Sequence, residues 1–197
     1  GGSKGLEVGN NNFRNAGFTI LNNACKLASS LGAKIVTIAA DSIAEGQDME
    51  LRVKAAAEYN KIASEIAQHY GVILSVEAPH RNSISETFEL AKNYWEHQDK
   101  RVKCTYDCAH FTYAGENPIE LVEFFAERII HVHLRDAVKG NSLLRYGQGC
   151  VDFVKLIDKF KECGYDGYFS MEYPADTEEE SEEKIIESLK FFENIDI

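Results

Sequence analysis

No run of about 18 apolar residues occurs in the 197-residue chain, so no segment reads as a membrane span. Positive charge is also scarce. The 21 Lys and Arg stand against 32 Asp and Glu, a formal net charge of −11. That balance argues against a nucleic-acid partner, because phosphate binding rests on neutralisation by Lys and Arg. CxxC spacing is missing. The five cysteines (Cys25, Cys104, Cys108, Cys150 and Cys163) are odd in number, which favours free, buried thiols in a reducing cytoplasm over a disulfide framework. No glycine-rich phosphate loop follows any strand-like run, so a dinucleotide-binding reading has no support. No signal peptide is recognisable, and the opening Gly-Gly-Ser reads as a cloning remnant, so the natural start need not lie here.

What is present is the composition of a soluble globular protein, 44% hydrophobic and 27% charged, at a length suited to one domain over residues 1–197. Residues 1–12 are rich in Gly and Asn and read as loop or remnant. After them, long amphipathic stretches alternate with short apolar runs. Helices are expected over Ala16–Leu31 and Met49–Tyr70, closed by Gly32 and Gly71. A Ser83/Glu86 capping box opens another, running to about His97. Asn117-Pro118 opens a helix to about Arg128. Asp152 caps one closed by Gly164, and a last runs from about Glu178 to Phe192 with its acidic residues solvated at the positive end of the dipole. Strands are expected over Lys34–Ala40, Val72–Glu77, Val102–Cys108, Ile129–Asp136 and Tyr168–Glu172. This is the order of parallel βα units, in an open sheet or a barrel.

Polar residues decide between the two. Four successive strands end in an ionisable residue, Glu77, Asp107, His133 and Glu172, at intervals of 30, 26 and 39 residues. Barrel enzymes keep their chemistry at that end of the strands. Residues two apart share a face. Ser75 and Glu77, Thr105 and Asp107, His131, His133 and Arg135, and Ser170 and Glu172 therefore line one side. Leu74, Val76, Val132, Leu134, Phe169 and Met171 line the other, under helices. Each ionisable residue has a structural alternative: Glu77 as a loop cap, Asp107 bracing a helix N-terminus, His133 as a bonded core histidine, Glu172 as an ion-pair partner. Taken together, four buried charges at one rim need a cation to offset desolvation. Three carboxylates and an imidazole suit Mn²⁺, Mg²⁺ or Co²⁺, with Zn²⁺ also compatible.

The segments VEAPH (Val76–His80), YDCAH (Tyr106–His110), HVHLRD (His131–Asp136), GQG (Gly147–Gly149) followed by VDF, and MEYP (Met171–Pro174) resemble the sugar phosphate isomerase/epimerase family. The resemblance extends from about Ala16 to Phe192. It implies a xylose-isomerase-like TIM barrel of which this chain covers about five C-terminal βα units, the first three being absent. It also implies one divalent cation on Glu77, Asp107, His133 and Glu172, with Glu77 and Glu172 as the proton-transferring pair of the epimerase members. His110 lies beside the substrate in this reading. Arg135 and Lys139 are cations for substrate hydroxyls or phosphate, or else ordinary surface cations. Asp136 is expected to orient neighbouring groups around the metal, and His80 to lie near the pocket mouth. His69 and His97 are expected to be structural, His131 a bonded interior residue and Trp95 core.

The expected function is isomerisation or epimerisation of a small sugar or sugar phosphate. The alternatives are a metal-dependent lyase of the cyclitol or dehydroshikimate dehydratase type, and a non-catalytic metal-binding fragment. An endonuclease IV-type three-zinc site is not expected, because its Asp-x-His would fall on Ser142 and Leu144. Five parallel strands leave two edges open, from which self-association into a homo-oligomer is expected.

Overall fold

The computed structural model describes residues 11–42, 48–173 and 177–195. Two compact units divide the chain at Thr105/Tyr106.

The first unit holds helices α1 (Asn11–Ser30), α2 (Met49–His69) and α3 (Phe88–His97) and strands β1 (Ile35–Ala39), β2 (Ile73–Glu77) and β3 (Lys103–Asp107), of which residues 103–105 belong here. Residues 1–10 lie outside the described residues. Helix α1 begins at Asn11, inside the stretch expected to be loop. Asp48 caps α2 by accepting the N–H groups of Glu50 and Leu51. The strands are parallel in the order β1-β2-β3, with Ala39 paired to Glu77 and Glu77 to Thr105. Their polar face is closed by hydroxyls: Thr105 Oγ1 lies 2.7 Å from Ser75 Oγ and 3.0 Å from Thr37 Oγ1. On the opposite face Leu74 and Val76 are buried, as alternation requires. Trp95 is core, and its indole N–H donates to Ala78 O at 3.2 Å, tying α3 to the segment after β2.

The expected capping box is a correction. Helix α3 starts at Phe88, where Thr87 Oγ1 accepts the N–H of Leu90. Ser83 instead donates to His80 O and accepts from Ser85 N, while Glu86 accepts from Asn82 N. The cause is tertiary. Ser83 bridges Ser42, and Ile84 N–H donates to Asp41 O, which holds this stretch as a turn outside the helix, closed by Glu86 N–H on Ser83 O at 3.2 Å.

In the second unit the end of β3 is succeeded by α4 (Cys108–Ala114), α5 (Pro118–Phe125), β4 (Ile129–Leu134), β5 (Asp136–Val138), β6 (Asn141–Leu144), α6 (Phe153–Glu162), β7 (Phe169–Met171) and α7 (Glu178–Glu193). Its parallel strands lie in the order β3-β4-β7, with Leu134 opposite Met171. Asn117 caps α5 with Pro118 at its first position, and Gly164 (φ 81°) comes just after α6. Tyr106 is the hub of the core. Its ring meets Phe111, Phe125 and Phe160 at 5.3–5.8 Å, and its hydroxyl donates to Pro118 O at 2.5 Å.

Two elements differ from the sequence-based expectation. Helix α4 comes after β3 with no loop, because Asp107 ends the strand and caps the helix at once. The fourth strand stops at Leu134, and Asp136 opens an antiparallel β5–β6 hairpin that turns at Gly140 (φ 79°).

Asp136 also organises the segment beyond the hairpin, residues 147–151. Its buried carboxylate accepts four main-chain N–H groups. Oδ1 takes Ala137 (2.9 Å) and Val151 (3.3 Å), and Oδ2 takes Gly147 (2.9 Å) and Gly149 (2.8 Å). It therefore holds the Gly147–Gly149 turn, a more specific role than the general orienting one expected of it. A Cβ at Gly149 would stand 2.1 Å from Asp136 Oδ1 and 2.6 Å from Ala137 N.

Gly149→Ala is accordingly expected to cost about 2–3 kcal/mol, the upper range for overpacking, since backbone as well as side chain must move. Urea denaturation measures it, and an unchanged midpoint refutes the packing account. Asp152→Ala removes the α6 cap, a carboxylate accepting from Lys155 N and paired with its ammonium, and is expected to cost about 1 kcal/mol at pH 7. The Lys155 side chain first, then its N–H, holds the Asp152 carboxyl below its ordinary value. The advantage over the alanine variant is therefore full above about pH 4 and vanishes as pH falls through the folded-state pKa. Denaturation midpoints of the two proteins from pH 7 to pH 2 should converge.

Candidate metal centre

Asp107, His133 and Glu172 each sit at the carboxyl end of a strand in the second unit, and each offers a ligand atom within 4.8 Å of the other two. Asp107 ends β3 and is fully buried. Its oxygens divide their work. Oδ1 accepts Ala109 N–H at 2.7 Å as the cap of α4, while Oδ2 takes the Arg135 guanidinium and lies 3.5 Å from His110 Nε2. His133, on β4, places Nδ1 2.8 Å from Glu172 Oε2. Glu172 comes directly after β7. Exposure rises along the set, from 0% for the Asp107 side chain through 20% for His133 to 41% for Glu172.

Two further predicted residues join the cluster. His110 is buried in α4, one turn beyond Asp107. Its Nε2 stands 3.0 Å from Arg135 Nη2, a guanidinium nitrogen that can only donate. Arg135 is buried rather than a surface cation, and its Nη1 lies 3.9 Å from Glu172 Oε1. Lys139 occupies the β5–β6 turn, with its stem along Gly115. Two carboxylates, which are hard oxygen donors, and an imidazole, a borderline nitrogen donor, together fit a divalent cation.

Glu77 ends β2 in the first unit, half-buried, above the Thr37–Ser75–Thr105 hydroxyls. His80, three residues on, has its Nδ1 2.8 Å from Arg81 O. His97 bonds Asn93 O within its helix.

Second-unit neighbours fix the ligand frame. Ser170 Oγ lies 3.0 Å from His131 Nε2, below the His133–Glu172 pair. Burial first, then His133, pushes the His131 pKa down, so it sits neutral in the wall. All five cysteines are free, with Cys150 exposed and Cys163 partly so, against the expectation of buried thiols. The Cys108 thiol bonds Arg135 O at 3.3 Å, and burial, then the Asp107 charge, pushes it far up, which leaves it inert.

Tyr146 is the residue that sequence reasoning missed. Its hydroxyl donates to Leu134 O at 2.6 Å and accepts Glu172 N–H at 3.2 Å, a link between chain positions that no local pattern announces. The one available signal was its place directly before Gly147-Gln148-Gly149.

Comparison with known proteins gives this architecture a context. The sequence is 32% identical over 133 residues to an inosose dehydratase of Geobacillus kaustophilus, an alignment spanning 58% of this chain and 43% of that enzyme. The chain thus spans under half the length of such curated relatives. Among solved structures, a 3-keto-D-glucoside 4-epimerase from E. coli superposes with a TM-score of 0.78 at 18% identity, over 99% of this chain and 77% of its own. The IolI protein, solved with a zinc atom, gives 0.73 at 24% identity over 88% and 66%. At these identities the superpositions establish the fold alone. The profile described as a xylose isomerase-like TIM barrel matches residues 3–195, and with that span the chain belongs to the xylose isomerase-like TIM barrel family.

Proposed function

We propose that this chain carries the metal-binding end of an enzyme that isomerises or epimerises a small sugar or sugar phosphate by moving a proton beside a carbonyl. The convergence of Asp107, His133 and Glu172 carries the reading. Glu77 completes the ligand set in this proposal. In support, Glu77 pairs in register with Thr105, two residues before Asp107 on the same face of β3. Mn²⁺, Mg²⁺ or Co²⁺ suits these donors, and Zn²⁺ is compatible. Such an ion, when bound, supplies Lewis acidity to the substrate carbonyl and so acidifies the neighbouring C–H.

The remaining work falls to the side chains. Glu172 is the most exposed of the three second-unit ligands and so more open to an incoming substrate than Asp107; it is proposed to take the proton. Glu77 is proposed to return one from the opposite side of the carbon, which inverts it. Arg135, buried beside Asp107, is the proposed cation for a substrate hydroxyl, with His110 beside it. Lys139 is the candidate cation for a phosphate, which would make phosphorylated sugars the better substrates.

A second reading has its own support, the inosose dehydratase among the sequence relatives. Both begin with the same proton removal. The dehydratase then expels the hydroxyl on the next carbon as water, whereas the epimerase reprotonates.

The test is NMR and mass spectrometry on the Mn²⁺-loaded chain in D₂O with ketoses, their phosphates and a cyclitol ketone. Epimerisation places deuterium on the inverted carbon, while dehydration yields a product lighter by about 18 Da. Glu172→Gln is expected to lower turnover at least about a hundredfold and Mn²⁺ affinity about tenfold. Turnover indifferent to that substitution would remove the proposed base. Tight Mn²⁺ binding with no turnover would favour the non-catalytic metal-binding reading.

A further inference from the structure

β7 ends at Met171, so Glu172 stands one residue beyond the strand, and its direction depends on what anchors its main chain. Its N–H is shared between Leu134 O at 3.0 Å and the Tyr146 hydroxyl at 3.2 Å. The same hydroxyl donates to Leu134 O at 2.6 Å, and Glu172 O lies 3.5 Å from it. Leu134 is the residue directly after His133. One phenolic oxygen therefore sits where two neighbouring strands end, each next to a proposed ligand, and the two ligands are themselves 2.8 Å apart.

Tyr146 is held from several sides. Leu144, two residues before it, pairs with Asp136 across the hairpin, and Gly147, directly after it, donates to the Asp136 carboxylate. Its ring stacks on Phe191 (5.7 Å between centroids, 26° between planes) and meets Phe153 and Phe192 edge-on at 5.5 and 5.0 Å.

We propose that Tyr146 is a positioning residue of the metal centre, whose hydroxyl fixes the direction in which Glu172 leaves β7 and thereby the His133–Glu172 geometry. The proposal rests on the metal-dependent reading above and adds to it a residue outside the ligand set. A tyrosine serving only as core would act through its ring. One serving as a positioner acts through a single oxygen, and phenylalanine separates the two.

The experiment is Mn²⁺ calorimetry on the wild-type chain, Tyr146→Phe, Glu172→Gln, the double variant and Phe191→Leu, each checked for a cooperative thermal transition. Tyr146→Phe is expected to weaken Mn²⁺ binding about tenfold, as removal of partners that orient metal ligands commonly does. In the Glu172→Gln background it should add less than about twofold, because it acts through Glu172. Phe191→Leu, which loosens the ring packing and leaves the hydroxyl, should stay within about twofold of wild type. Equal loss in both backgrounds, no loss from Tyr146→Phe, or a matching loss from Phe191→Leu would each overturn the assignment. A wild-type chain that takes up no Mn²⁺ would bring down the metal reading itself, and that titration alone reports it.

Discussion

The second unit is arranged around a buried carboxylate that is never left uncompensated. Asp107 has no exposed surface, and moving an ionised carboxylate out of water costs several kcal/mol unless it is paired and bonded. Its two oxygens offset this cost in different ways. One receives the Ala109 N–H and so starts α4; the other receives the Arg135 guanidinium. Removing one member of such a buried pair typically costs about 3–5 kcal/mol, which exceeds any single cap or turn in the unit. The helix that Asp107 starts carries His110 back onto Arg135. Strand end, helix start and candidate site are thus one electrostatic object.

Asp136, three residues after His133, provides a contrast. It too is buried, yet its partners are main-chain N–H groups rather than cations. Neutral donors spread over four bonds satisfy a carboxylate without cancelling its charge, so Asp136, unlike Asp107, keeps a negative charge with no cation against it, and that charge is felt at the Cys108 thiol. The two aspartates divide the region between chemistry and architecture.

Much of this was legible from residue order. The five parallel strands, the Asn117-Pro118 helix start, the glycines that end α1, α2 and α6, and the polar face running through Ser75 and Thr105 all come from period and cap chemistry. Asp107, His133 and Glu172 were legible as strand-end residues because a barrel family places its reacting groups there. What failed depended on partners distant in sequence. Ser83 and Glu86 spell a capping box, but contacts from Asp41 and Ser42 hold that stretch as a separate turn and leave the cap to Thr87. The apolar run through Leu134 reads on into Asp136, whereas the pairing of Asp136 with Leu144 turns it into a hairpin. Arg135 looked equally like a surface cation, and only its burial against Asp107 settles the matter. Tyr146 carried no signal but its place before Gly147-Gln148-Gly149, since its hydroxyl reaches 12 residues back and 26 forward.

The Asp136 cradle has a consequence for how such a chain can diversify. A loop fixed by backbone N–H groups makes almost no demand on the identity of its own side chains. Of the residues around the carboxylate, Gly149 is constrained by space, and Gly147 by its positive φ of 82° and by Phe191, 3.2 Å from where a Cβ would stand. Arg145 and Cys150 contribute no side-chain atom to those four bonds, and Gln148 adds only its Oε1, which accepts the Arg145 N–H within the turn. Such a segment works as a mount with replaceable fittings. New side chains can be tried beside a fixed centre, and selection can act on what they bind with little penalty in folding.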